Sequence, residues 1–161
     1  MIIYHTSDRV VVSPNVELSR LFLDFGKGFY VTPDRLQAEK YARRFFKEGR
    51  KAFLNIYEID DEAFSKCNNK KFPAYDGIWL DYVVACRKNN PHEVFDIIEG
   101  GIADDDVFNT LDLFMSELIA KEEAIKRLKK KKPNVQICFS NQHIIDKHMH
   151  FIESIELHEN E

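Results

Sequence analysis

The sequence predicts an α+β fold, in which short strands and isolated helices follow one another without the regular alternation of a parallel sheet. Three observations carry this. Residues 52–59 are apolar or aromatic on both faces, as expected for a central strand. Helix boundaries are local, with a start at Thr32-Pro33-Asp34 and a stop at Gly49. The chain has 161 residues, 44% hydrophobic and 31% charged, which is the size and composition of one globular domain spanning 1–161.

The elements follow in order. Residues 1–6 form a short opening strand. A loop containing Ser13-Pro14-Asn15 leads to the glycine-punctuated segment 24–32, which turns and enters a second strand. The next helix runs to about Lys47, with Leu36, Tyr41, Ala42 and Phe45 at helical spacing. After the central strand at 52–59, a helix over 76–87 buries Trp79, Val83 and Cys86. A strand over 94–98 is closed by Gly100-Gly101. Residues 104–131 are one long or two consecutive helices, stopped by Pro133. A strand over 135–139, a short helix over 141–148 and a final strand over 151–157 complete the chain.

Bulk properties narrow the function classes. A net charge of −4 gives no global attraction to nucleic acid. No run approaches the eighteen or so apolar residues of a membrane span, and the opening strand leaves no secretion signal. Cys67, Cys86 and Cys138 are odd in number and far apart, which suits reduced thiols in the cytoplasm rather than a disulfide framework.

Three segments combine residue types that carry chemistry. Tyr4-His5-Thr6-Ser7 places a histidine at the end of the opening strand; a structural histidine fits there as well. In Phe25-Gly26-Lys27-Gly28-Phe29-Tyr30, two glycines let the backbone approach a ligand or another chain, although a bulge or tight turn uses the same residues. In Asn134-Val135-Gln136-Ile137-Cys138-Phe139, a polar residue enters an apolar strand, as at any strand edge.

Together these segments resemble the ADP-ribosyltransferase superfamily, in its His-Tyr-Glu branch of diphtheria-type toxins and poly(ADP-ribose) polymerases. His5 closes an early strand, Tyr30 follows the Gly-Lys-Gly element, and Gln136 opens a late strand. The similarity is close over residues 3–45 and looser around Gln136. Tyr41, eleven residues after Tyr30, matches a second stacking tyrosine of the polymerases. Trp79-Leu80-Asp81 and Ala103-Asp104-Asp105 are similar to segments of a compact bacterial family of uncharacterised ADP-ribosyltransferase-like domains. The resemblance implies a split, curved, mostly antiparallel sheet with peripheral helices. It also implies NAD⁺ as substrate, bound by His5, Thr6, Ser7, Gly28, Tyr30 and Tyr41, with His5, Tyr30 and Gln136 catalytic and no metal.

The implied roles have physical grounds. Cleaving the nicotinamide–ribose bond passes through an oxocarbenium-like state, so the site must hold the nicotinamide and the ribose rigidly. Tyr30 and Tyr41 would sandwich the flat cationic ring. His5 would hydrogen-bond the adenine-side ribose, and the Thr6 backbone would clamp the carboxamide. Gln136 would bond the nicotinamide ribose and polarise through its amide oxygen. Three positions depart from the pattern: Thr6 stands for Gly and narrows the pocket, Ala38 for Ser, and Gln136 for Glu. An amide cannot act as a general base, and in the resembled family loss of that Glu goes with transfer of a single unit.

The expectation is therefore a mono-ADP-ribosyltransferase acting on a macromolecular acceptor, as a toxin or defence effector with an antitoxin partner. The alternatives are a catalytically inactive NAD-binding or interaction module and an NAD⁺ hydrolase. Other signals have plainer readings. Lys129–Lys132 is a solvated helix end, Asp104–Asp106 a helix start, and Trp79 a core residue. Arg87 and Asp96 are expected to form an ion pair, and His148 and His150 have no third residue spaced to complete a metal site.

Overall fold

The computed structural model describes residues 1–159 and is α+β, with seven strands in two mostly antiparallel sheets and seven α-helices among those residues. The elements are β1 (Ile2–Ser7), β2 (Phe29–Val31), α1 (Arg35–Tyr41), α2 (Arg43–Lys47), β3 (Ala52–Ile59), α3 (Glu62–Ser65), β4 (Asn69–Lys71) and α4 (Gly77–Arg87). They continue with β5 (Ile97–Gly101), α5 (Asp105–Met115), α6 (Lys121–Leu128), β6 (Val135–Phe139), α7 (Gln142–His148) and β7 (Met149–Leu157).

One sheet has the order β1-β3-β7 and is antiparallel throughout; the other has the order β2-β6-β5-β4, with only β4–β5 parallel. β3 is central, as its two-faced apolar pattern requires. The sheets meet at a single bridge between Tyr4 and Thr32.

Strand alternation sends side chains to separate cores. Ile3, Tyr57 and Ile59 of one sheet meet Phe29, Val31, Ile137 and Phe139 of the other. The opposite face of the four-stranded sheet, with Ile98 and Cys138, is covered by Trp79, Leu80, Val83, Leu111 and Leu128 from α4, α5 and α6. Each fully buried aliphatic here contributes about 1.5–3 kcal/mol, which holds the helical layer over Tyr30. α1 packs Ala38 on Leu54 and Ile56. Asp34, Asp76 and Asp104 cap α1, α4 and α5 by accepting the N–H of the residue three positions on.

Several expectations are corrected. The helix expected through Lys47 is interrupted at Ala42, and its buried residues are Ala38 and Ala42, whereas Leu36 and Tyr41 are exposed. The strand expected over 94–98 lies at Ile97–Gly101, so Gly100 and Gly101 are strand residues. A Cβ on Gly101 would sit 2.3 Å from the Tyr75 ring, so the missing side chain there serves packing. α3 and β4 were not anticipated, and β7 starts at Met149.

Candidate functional site

β1 and β2 touch once and then part. Met1 and Ile59 exchange both backbone bonds, so alternation turns Ile3, His5 and Ser7 toward β3 and Tyr4 and Thr6 away from it. Tyr4 uses that side to exchange two 2.9 Å bonds with Thr32. Two residues further along, the Thr6 N–H and C=O face the same side, where β2 no longer follows.

On the β2 side of the parting, the Tyr30 carbonyl is left without a strand. The imidazole of His5 takes it up, with Nδ1 2.7 Å from the oxygen. A carbonyl only accepts, so Nδ1 carries the proton, and in the neutral ring Nε2 is a lone-pair acceptor. Burial holds the His5 pKa below its ordinary value, against the raising effect of the Tyr30 bond, so the neutral form prevails. Nε2 has no hydrogen-bond partner among the described residues. The ring rests on Phe29, with centroids 4.5 Å apart.

The other residues of this region are held in several ways. Thr6 donates its hydroxyl to the Ala38 carbonyl at 2.6 Å, so its side chain faces α1. Ser7 joins a local turn by accepting from the Arg9 N–H at 3.3 Å, next to Asp8. Arg9 and Arg50, both hydrogen-bonded to Asp8, hold its carboxyl well below the usual carboxylate range. Gly28 gives its N–H to Ser19 Oγ at 3.0 Å and lies against β6, where a Cβ would be 2.4 Å from Cys138 Sγ.

Tyr30 and Gln136 share one face of β2 and β6. Tyr30 pairs with Cys138 in the register, and Gln136 lies two residues along β6. The Tyr30 hydroxyl donates to the Gly26 carbonyl at 2.5 Å and accepts from the Phe25 N–H at 3.0 Å, which pins the turn around Gly26. That turn needs glycine, because φ at Gly26 is +78°. Burial raises both the Tyr30 phenol and the Cys138 thiol, the latter to about 12. The start of β6 is fixed by Thr32 Oγ1 and Gln37 Nε2, which donate to the Val135 carbonyl at 3.0 and 3.1 Å.

A polar cluster not legible in the sequence surrounds Gln136. Its Nε2 donates to Asp24 Oδ2 at 3.3 Å. Arg87 holds the same carboxylate through Nε and Nη2, at 2.9 and 2.5 Å from Oδ1. The Ala103 N–H adds a bond to Oδ2 at 3.2 Å. This corrects the expected Arg87–Asp96 pair: Arg87 turns to Asp24, while Asp96 accepts from Asn141 Nδ2 and the Asn68 N–H.

Not every proposed residue is drawn together. His5 meets Tyr30 through the backbone, and its ring lies on the Phe29 side of β2, opposite the Tyr30 ring. Tyr41 is 45% exposed. Its ring meets Phe45 edge-on at 5.9 Å, with the Arg44 guanidinium 5.8 Å from its centroid. Two open concavities, of about 400 and 220 Å³, flank β4 and are not lined by His5, Tyr30 or Gln136.

Lys131 pairs with Asp106 beyond the end of α6, and Lys129–Lys132 is exposed. His148 Nδ1 and His150 Nε2 approach Asp60 Oδ2 at 3.4 and 3.2 Å. No group of three His, Cys, Asp or Glu residues able to hold a metal ion occurs among the described residues, and none of their helices is long and apolar enough to cross a membrane.

Neither the curated proteins nor the solved structures contain a match to the chain. Residues 1–151 match a family described as "Protein of unknown function (DUF3990)". The chain therefore belongs to the DUF3990 family.

Proposed function

We propose that this protein is a cytoplasmic mono-ADP-ribosyltransferase on a split, curved ADP-ribosyltransferase-like sheet, with NAD⁺ as substrate and a macromolecule as acceptor. The observation that carries the reading is the parting of β1 from β2. There the Thr6 N–H and C=O face a side with no strand, beside an uncharged His5 whose Nε2 is uncommitted. A backbone N–H and C=O on one residue are complementary to a primary carboxamide. A neutral imidazole nitrogen accepts from a ribose hydroxyl.

NAD⁺ supplies a good leaving group. The bond from ribose C1′ to the nicotinamide nitrogen breaks with its electron pair leaving on that nitrogen. The acceptor's nucleophilic atom then bonds to C1′ and releases its proton to solvent. Gln136 stabilises the positive charge that develops on the ribose through its amide oxygen, and takes no proton. Tyr30, its hydroxyl engaged, offers only its ring; Tyr41 offers an exposed ring face.

A second reading, an inactive interaction module, draws on the engagement of the Gln136 amide by Asp24 and of the Tyr30 hydroxyl by Gly26. Incubation with labelled NAD⁺ and cell lysate separates the readings. Nicotinamide release with label on protein or nucleic acid is the expected result, and antitoxin-type partners would suppress it. Release without labelling means hydrolysis, and neither release nor labelling means a module.

A further inference from the structure

We propose that Asp24 is the positioning residue of this site: anchored by Arg87, it captures the amide nitrogen of Gln136, turns that side chain's oxygen away from itself toward substrate, and dictates that residue 136 be an amide. The inference rests on the proposed function for what the oxygen meets, but the pairing is testable without it.

The geometry leaves little freedom. The Asp24 and Arg87 side chains are only 12% and 21% exposed. Arg87 directs both its bonds to Oδ1 of Asp24. That leaves Oδ2 for the Ala103 N–H and for Gln136 Nε2. A carboxylate offers only acceptors, so Gln136 can face it only with its NH₂ group, and Oε1 must point away. The ambiguity that ordinarily attends an amide's orientation is removed by its neighbour.

The same contact explains why glutamate is absent here. A carboxylate at position 136 would meet Asp24 across a distance now bridged by a 3.3 Å hydrogen bond. Two like charges in a half-buried place cannot both ionise without penalty, and one pKa rises. Arg87 offsets only part of this, because one guanidinium charge then faces two carboxylates and its Nε and Nη2 are directed to the far oxygen of Asp24. Residues 24 and 136 are thus a matched pair, and their identities constrain each other.

Four proteins test this: wild type, Asp24→Asn, Gln136→Glu and the double variant. The readouts are nicotinamide release and thermal unfolding from pH 4 to 8. Asp24→Asn is expected to lower kcat at least about tenfold with KM within about twofold, as for loss of transition-state alignment. Gln136→Glu is expected to unfold near the wild-type temperature at about pH 4 and to lose stability toward pH 7, since a carboxyl with a raised folded-state pKa destabilises once ionised. The double variant, in which the new Asn donates to the new Glu at the cost of the bond from the Ala103 N–H, should remove that pH slope and recover part of the activity lost by Gln136→Glu. Additive losses with the slope retained would overturn the pairing. A wild type that releases no nicotinamide would remove the function and with it the positioning role, whereas the pH-dependent coupling stands or falls on the unfolding data alone.

Discussion

His5 has two jobs that different substitutions can separate. Its Nδ1 proton satisfies the Tyr30 carbonyl where β1 leaves β2, and under the proposed function its uncommitted Nε2 is the lone pair offered to substrate. Asparagine reproduces the first and not the second. His5→Ala is expected to lose about 1–3 kcal/mol of stability through the orphaned carbonyl, and His5→Asn to lose much less. Both should bind NAD⁺ more weakly while leaving free nicotinamide nearly unaffected, which calorimetry reads directly. Burial lowers the His5 pKa in the folded state, so the unfolded chain binds the extra proton first. Stability should therefore fall as pH drops below about 6.5, the unfolded value. That part of the slope should vanish in His5→Asn; an unchanged slope would mean that His5 does not carry it.

At the scale of elements, the motif glycines divide by purpose. Gly26 is needed for its positive φ, and Gly28 for lack of a side chain. A Cβ at Gly28 would press on Cys138 Sγ at 2.4 Å and on the Phe139 carbonyl at 2.8 Å. Gly28→Ala is thus expected to cost about 1–3 kcal/mol in urea unfolding by forcing β2 off β6. A neutral result would mean β2 is loosely seated. This shows what a sequence can reveal. The apolar runs at 52–59 and 135–139 and the aspartate caps at Asp34 and Asp104 are local signals, and they place their elements well. β4 is Asn69-Lys70-Lys71, three polar residues whose strand character comes only from pairing with β5, so no local pattern announces it. Gly100-Gly101 looks like a terminator, because the rings of Phe72 and Tyr75 that fill the space are remote in sequence. His5, Tyr30 and Gln136 were visible as motif residues. Asp24 was not, since its partners Arg87 and Gln136 lie 63 and 112 positions away.

At the scale of the whole molecule, two sheets share a core built from residues of both, yet among the described residues only the Tyr4–Thr32 bridge joins their backbones. A ligand held by Thr6 and His5 of one sheet and reaching Gln136 of the other would span that junction and pass the edge of β2, because the His5 ring lies on the Phe29 side of that strand and Tyr30 and Gln136 on the other. Under the proposed function the chemistry depends on Gln136, whose amide nitrogen is held by Asp24 and whose oxygen therefore faces away from that carboxylate. The most direct measurement is nicotinamide release from NAD⁺ by wild type and Gln136→Ala side by side, with NAD⁺ affinity measured on the same samples. Turnover should fall roughly 10²–10³-fold while affinity changes little, as for an interaction made mainly in the transition state. Equal turnover by the two proteins would contradict a site built on His5, Tyr30 and Gln136.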